Sequence, residues 1–352
     1  MKHSDPATIE QAQAAPFDVD RLQRYLKQHI EGFHGPITVR QFDGGQSNPT
    51  FLLTTSDHRY VLRKKPAGVL LKSAHAVDRE YRVISALHGT TVPVAKPHCL
   101  CEDEAVIGTP FYVMAFVEGR VLWDPALPGM TPDQRGAVYD EMNRVASALH
   151  CVDYTAAGLA DYGRPGRYVE RQIGRWTQQY RASETGRMDA MERLIEWLPR
   201  NIPVSEESAI AHGDLRLDNL IFHPTEARIL AVLDWELSTI GHPLADFSYH
   251  MMTWRLAPEE FRGLVGHDLF ALGIPDEQTY LRLYCQRTGR NGIDPQEWNF
   301  YMAFNLFRLA AILQGIMKRA LDGTASSPKA LESGRRALAI AERGWRQVEE
   351  ML

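Results

Sequence analysis

AHGDLRLDNLIF, residues 211–222, and ILAVLDWE, residues 229–236, decide the reading of this chain. Short apolar runs (NLIF, ILAVL) alternate there with clustered polar residues, the pattern of small strands that carry loops. The loops hold Asp214, Asn219 and Asp234 on either side of a strand pair. Two carboxylates and an amide are all oxygen donors, a set that suits a hard cation such as Mg²⁺ rather than zinc. Their spacing fits phosphoryl transfer. In that template an Asp takes the proton of the acceptor hydroxyl, an Asn five residues later holds metal, and a second Asp beyond the next strand bridges metal to phosphates. Here Asn219 follows Asp214 by five residues and Asp234 follows it by twenty.

The same template asks the rest of the chain for a turn over the phosphates and for a cation paired with a helix carboxylate. Upstream, from Ile37 to Val117, short β-like runs (ITVRQF, TFLLTT, RYVLRK, the stretch from His98 to Cys101, FYVMAFV) are separated by DGGQSNP, SDH and IGTP. Antiparallel strands joined by tight loops are expected. DGGQSNPTF, residues 43–51, joins two of these strands, and Gly44, Gly45, Ser47 and Asn48 can bring backbone N–H groups to phosphate oxygens. One helix is expected from about Ser73 to His88, with Val77, Ile84 and Leu87 on an apolar stripe that also carries Glu80. A lone buried carboxylate costs several kcal/mol, so Glu80 calls for a cation. YVLRKK offers Arg63 and Lys64, which point to opposite faces of a strand, so only one of them can meet Glu80.

Beyond Gly119 the pattern changes to the 3.6 period of amphipathic helices, in residues 132–151, 188–198 and from about Pro243 to the end. The expectation is an α+β protein of two lobes with a ligand cleft: a flexible stretch over 1–20, a β-rich nucleotide-clamping lobe over 21–117, and a larger helical lobe over 118–352 that carries the catalytic and metal loops.

Composition narrows the function classes. With 352 residues, 44% apolar and 24% charged, this is ordinary globular usage. A net charge of −5 supplies no cationic field for nucleic acid or an anionic bilayer, so neither is expected as a partner. Cys99, Cys101, Cys151 and Cys285 lack the paired spacing of a disulfide framework or zinc ribbon and fit a reducing cytoplasm. MKHSDPATIEQAQAAP contains no apolar h-region, and the longest apolar run, Phe111 to Val117, is far short of a membrane span.

Taken together, HGDxxxxN, LDWE and the later GHPLADF make the chain resemble the protein-kinase-like small-molecule phosphotransferases typified by aminoglycoside phosphotransferases and choline kinases, over residues 30 to 330. More narrowly, GGQSNPTF, VLRKKP, SAHAVDREYRV and HGDLRLDNLIF are similar to the kinase-like domain fused upstream of some acyl-CoA dehydrogenases. The resemblance implies ATP and Mg²⁺, with Asp214 as catalytic base, Asn219 and Asp234 as magnesium ligands, and Glu80 as the helix carboxylate. Register against the family favours Arg63 over Lys64 as its partner, where the family's usual residue is Lys. The adenine is expected on backbone after Met114, near Phe116, Val117 and Glu118. A hydroxylated small molecule is implied as acceptor, a hydroxyacyl-CoA among the candidates. The kinase-like fold accounts for the 352 residues, so no dehydrogenase domain is expected within them. Trp235-Glu236 stands where protein kinases have Phe-Gly, so their activation switch is not implied.

Other residues read as structural. His212 is expected to brace the catalytic loop, Asp246 to cap or tie loop backbone, His242 to be structural, and Trp176, Tyr180, Trp197, Trp254 and Trp298, with Cys99 and Cys101, to fill cores. Arg216 and Glu236 stay open between solvated charges and contacts to phosphate or metal. Two rival functions remain: a nucleotide- or acyl-binding module without transfer, suggested by Arg63 in place of Lys, and a zinc hydrolase built on Asp214, Asp234 and His212 or His242, which lacks an H-E-x-x-H motif or another dense His cluster.

Overall fold

The structure is a computed structural model that describes residues 15–42, 48–66, 76–205, 207–325 and 327–352. Up to Val121 the elements run α1 (Val19–His29), β1 (Thr38–Gln41), β2 (Thr50–Thr54), β3 (Arg59–Lys64), α2 (Val77–Leu87), β4 (Pro97–Cys101), α3 (Glu104–Ile107), β5 (Phe111–Ala115) and β6 (Arg120–Val121). There follow α4 (Pro132–His150), α5 (Tyr168–Ser183), α6 (Asp189–Trp197), β7 (Ala209–Ala211), β8 (Leu220–Phe222), β9 (Ile229–Val232), β10 (Thr239–Gly241) and α7 (Pro243–Met251). The chain closes with α8 (Pro258–Phe261), α9 (Leu269–Leu272), α10 (Glu277–Thr288), α11 (Pro295–Leu321), α12 (Ala330–Gly334) and α13 (Ala337–Glu349). Two compact units result: one takes in the chain up to Val121 together with 157–159 and 218–238, the other 122–156, 160–217 and 239–352.

The first unit is built on an antiparallel sheet of order β1-β2-β3-β5-β4. The β2–β3 turn closes locally, because Thr55 Oγ1 accepts from the N–H groups of Asp57 (3.3 Å) and His58 (3.0 Å). Alternation then sorts the side chains. Phe51, Leu53, Tyr60, Leu62, Phe111 and Val113 share one core with Leu22 and Leu26 of α1. The intervening residues Val61, Arg63, Tyr112 and Met114 therefore take the opposite face, and α2 packs against β4 and β5. Arg63 lies directly across from Tyr112 in the β3–β5 ladder. Lys64, one residue on, falls on the α1 side of the sheet.

Helix α2 buries Val77, Glu80, Val83, Ile84 and Leu87, so the carboxylate is indeed on the apolar stripe. The expected start at Ser73 lies outside the described residues. Helix α1 and the single-turn α3 add to the one helix foreseen in this region; α1 is capped by Asp18, which accepts from the Arg21 N–H at 2.9 Å.

A second sheet of order β6-β8-β9 completes the first unit. Gly119 leads into it with no room for a side chain, since a Cβ there would come 2.3 Å from the Phe222 carbonyl oxygen. The β8–β9 register pairs Leu220 with Val232, and the Leu233 N–H donates to the Asn219 carbonyl at 2.8 Å. Asn219 and Asp234 thus leave the same end of one hairpin.

In the second unit, β7 pairs with β10 among helices. Helix α11 is long and apolar enough to cross a membrane by length and composition, but 78% of its apolar window is buried. It packs against α5, α7, α12 and α13 as a core helix.

Candidate active site

The first unit gathers one cation and several carboxylates. Arg63 Nε stands 3.2 Å from Glu80 Oε2, and its Nη2 stands 3.4 Å from Asp234 Oδ1 and 4.0 Å from Glu236 Oε2. Glu80, 1% exposed, also accepts from Asn48 Nδ2 at 2.6 Å and from the Tyr112 hydroxyl at 2.9 Å. Burial raises the Glu80 carboxyl above its usual range, while Arg63, Tyr112 and Asn48 pull it back toward the ionised form. Burial also opposes the charge on Arg63, and the carboxylates of Glu80, Asp234 and Glu236 outweigh it, so the guanidinium stays charged.

Lys64 does not take part. Its Nζ is 3.4 Å from the Lys65 carbonyl, and burial lowers its pKa. Gly44, Gly45 and Ser47 lie outside the described residues; Asn48 is buried at 1% exposure with its amide on Glu80.

Asp234 adopts a left-handed backbone, φ 64°, which an Asp tolerates better than most residues. The turn it opens is closed by Ser238, whose hydroxyl donates to the Trp235 carbonyl at 2.5 Å. Trp235 is buried, and its indole N–H donates to the Val232 carbonyl at 3.0 Å. The amide of Asn219 and the carboxylate of Asp234, with the further negative charge of Glu236, form an oxygen-rich set that fits a hard divalent cation completed by phosphate oxygens and water. Among the described residues no group of three His, Cys, Asp or Glu is placed to hold a metal alone.

Farther along the first unit, the guanidinium of Arg59 lies 4.4 Å from the centre of the Phe116 ring and pairs with Glu118 at 2.5 Å. The Phe116 N–H donates to the Arg59 carbonyl at 3.1 Å. Val117 is half-buried beside it.

The second unit carries Asp214. Its loop is held by backbone: the N–H groups of His212 and Gly213 donate to Asp246 Oδ2 (2.8 Å) and Oδ1 (2.7 Å), and Arg308 donates to the Gly213 carbonyl at 2.5 Å. Gly213 has φ 84°, so a side chain there would strain the turn. The loop-tying expected of Asp246 is what the structure contains. His212 braces the loop as well, accepting from the Asp214 N–H at 3.2 Å.

Asp246 is in turn met by His150 Nε2 at 3.2 Å, and His150 Nδ1 lies 2.7 Å from the Tyr284 hydroxyl. Burial opposes the Asp246 charge, but His150 and the backbone donors hold its carboxyl below the usual range. The Asp214 carboxylate lies 3.0 Å from Arg216 Nε and shares a hydrogen bond with Tyr249. Sequence reasoning does not single out Tyr112, His150, Tyr249 or Arg308; each is one residue within a strand or helix, far in the chain from its partner.

His242 is structural, stacked on Tyr301 with Nε2 3.1 Å from both the Tyr301 and Ser205 hydroxyls. Burial lowers His242 and His250 to about 4. Both stay neutral in the fold, whereas an unfolded His takes up a proton near pH 6.5, so the unfolded state binds more protons between these values. Their contribution is complete above pH ~6.5 and is lost as pH falls toward ~4. Calorimetry is expected to show a melting temperature that falls through this window, less steeply in His250→Gln; equal slopes in the two proteins would contradict the assignment.

Comparison with known proteins identifies the family of the chain. Residues 38–283 match the model of the phosphotransferase enzyme family, APH. Over 331 residues the chain is 50% identical to mouse acyl-CoA dehydrogenase family member 10, covering 93% of this chain and 31% of that protein. Over 347 residues it is 42% identical to rat acyl-CoA dehydrogenase family member 11, covering 96% of this chain and 44% of that one. The chain therefore spans less than half the length of these relatives. Among solved structures, a Ralstonia eutropha protein that carries the name of an aminoglycoside phosphotransferase is 58% identical with a TM-score of 0.88, covering 95% of this chain and 99% of that one. Choline kinase from Cryptosporidium parvum is 13% identical with a TM-score of 0.64, covering 95% of this chain and 96% of that one, a likeness of fold.

Proposed function

The chain belongs to the phosphotransferase enzyme family, and from that premise we propose that it is an ATP- and Mg²⁺-dependent kinase that transfers the γ-phosphate to a hydroxyl of a small molecule. Its fold is protein kinase-like, with a small antiparallel sheet in the N-terminal region and a larger helical C-terminal part. The observation that carries the proposal is Arg63: a cation anchored by a buried carboxylate and aimed at Asp234.

In this reading Asp214 accepts the proton of the acceptor hydroxyl and orients its oxygen, while the clamp by Asp246 fixes the loop that bears it. Arg216, with Nε 3.0 Å from Asp214 Oδ1, helps to orient that carboxylate. Asn219 and Asp234 hold Mg²⁺, which when bound neutralises charge on the phosphates. Arg63 offers its guanidinium to phosphate oxygens, and Val117 offers backbone to the base. The segment 43–47, with Gly44, Gly45 and Ser47, is assigned to the phosphates on its sequence. Catalysis is then mostly positioning and electrostatics.

For the acceptor, the identity to acyl-CoA dehydrogenase family members 10 and 11 supports a hydroxylated acyl group carried on CoA. ATP consumption measured with Mg²⁺ across hydroxyacyl-CoAs, choline-like alcohols, sugars and aminoglycosides tests this. Stimulation greatest with a hydroxyacyl-CoA is expected. Stimulation confined to aminoglycosides would overturn the acceptor, and ATP binding with no stimulation by any of them would favour a binding module.

A further inference from the structure

We propose that Asn48 and Tyr112 are positioning residues that set nucleotide binding through the carboxylate of Glu80, a role that rests on the kinase reading above. Glu80 is 1% exposed, so both of its oxygens must be satisfied from within the protein. Asn48 Nδ2 holds Oε1 at 2.6 Å and the Tyr112 hydroxyl holds Oε2 at 2.9 Å. These two neutral donors come from different places, Asn48 just ahead of β2 and Tyr112 from β5, and together they fix the plane of the carboxylate.

The consequence falls on Arg63. It meets Glu80 through Nε at 3.2 Å, which leaves Nη2 directed to Asp234 at 3.4 Å and Glu236 at 4.0 Å. A guanidinium, unlike an ammonium, is planar and has an orientation to set. A Glu80 relieved of its neutral donors is free to rotate and take a two-pronged pair with the guanidinium, the preferred geometry of these groups. That turns Arg63 away from the metal-loop carboxylate. Asn48 itself, buried with its amide on Glu80, acts from behind the cation rather than by touching phosphate with its side chain. Tyr112 is fully enclosed, and burial, with Glu80 beside it, keeps its hydroxyl protonated, so the donor is permanent.

Calorimetric titration of the full chain with ATP in excess Mg²⁺ tests the proposal. Asn48→Ala and Tyr112→Phe are each expected to weaken binding about tenfold, the usual effect of removing a neutral donor from a charged acceptor. Asn48→Asp, nearly the same size as the native side chain, puts a second carboxylate against Glu80 and is expected to weaken binding more than Asn48→Ala; a space-filling role predicts the reverse order. In a Glu80→Ala background, Asn48→Ala and Tyr112→Phe are expected to cost less than about twofold, because residues acting through one group are not additive. Losses that add in that background, or Asn48→Asp binding like wild type, overturn the proposal. Tyr112→Phe keeps the ring and removes only the hydroxyl, so it decides the matter where the Asn48 variants fail to fold. Wild type that does not bind MgATP overturns the kinase reading, and this proposal with it; wild type that binds alongside additive losses overturns this proposal alone.

Discussion

Asp214→Ala is expected to lower phosphoryl transfer by about 10³-fold, the range for loss of a general base, while MgATP binds as in wild type. The loop is tied at several points that do not use this carboxylate. Asp246 holds the N–H groups of His212 and Gly213, Arg308 holds the Gly213 carbonyl, and His212 accepts the N–H of residue 214 itself. An alanine at this position keeps all of those bonds. What it removes is the proton acceptor, the partner of Arg216 3.0 Å away, and the hydrogen bond with Tyr249. Steady-state turnover with a stimulating acceptor, beside calorimetric binding of MgATP, checks the separation. A variant that keeps more than about a tenth of wild-type turnover would remove Asp214 from the role of base.

The second large effect is expected at Asp234. Its left-handed backbone, φ 64°, makes alanine a poor probe, because the strain of the substitution would add to the chemistry. Asparagine tolerates that conformation and removes only the charge. Asp234→Asn is expected to weaken Mg²⁺-dependent ATP binding at least about 10- to 100-fold, the scale reached even by outer partners of metal ligands. Binding of ATP without Mg²⁺ is expected to change little or to tighten, since Arg63 at 3.4 Å loses a competing anion. Titrations with and without Mg²⁺ separate these effects. Equal losses in both would assign Asp234 to the nucleotide pocket in general and not to metal.

Much of this site was readable because its chemistry is compressed in sequence. Asp234 follows Asp214 by only twenty residues, with Asn219 between them, and alternation alone restricts the partner of Glu80 to one of Arg63 and Lys64. The structure settles that choice through packing: Tyr60 and Leu62 belong to the core beneath α1, so Arg63, between Leu62 and Lys64 in the chain, faces the other way, toward α2. Helix α1 had its signals in DVDRLQRYLKQHI, a capping Asp18 followed by Leu22, Leu26 and Ile30 at four-residue spacing. The sequence-based division at residue 20 cuts through that stretch, between the flexible 1–20 and the start of the β-rich lobe.

The rest depends on long-range pairing that no local pattern records. Tyr112 reaches Glu80 across 32 residues, His150 reaches Asp246 across 96, and Arg308 reaches Gly213 across 95. A tyrosine in an apolar strand or a histidine near the end of a helix looks the same in sequence whether or not such a partner exists. The grouping of 218–238 with the first unit has the same origin, because β8 pairs with β6, about a hundred residues earlier in the chain. Asn48 was foreseen for the backbone of a phosphate turn, and what the structure adds is the bond of its side chain to Glu80.

The most direct measurement follows the γ-phosphate itself. With ATP labelled at the γ position, a hydroxyacyl-CoA and Mg²⁺, the account predicts label in a phosphate ester on the acyl hydroxyl, formed by wild type and lost when Mg²⁺ is chelated. Label recovered only as inorganic phosphate, or an ester formed at the same rate without divalent cation, would contradict it.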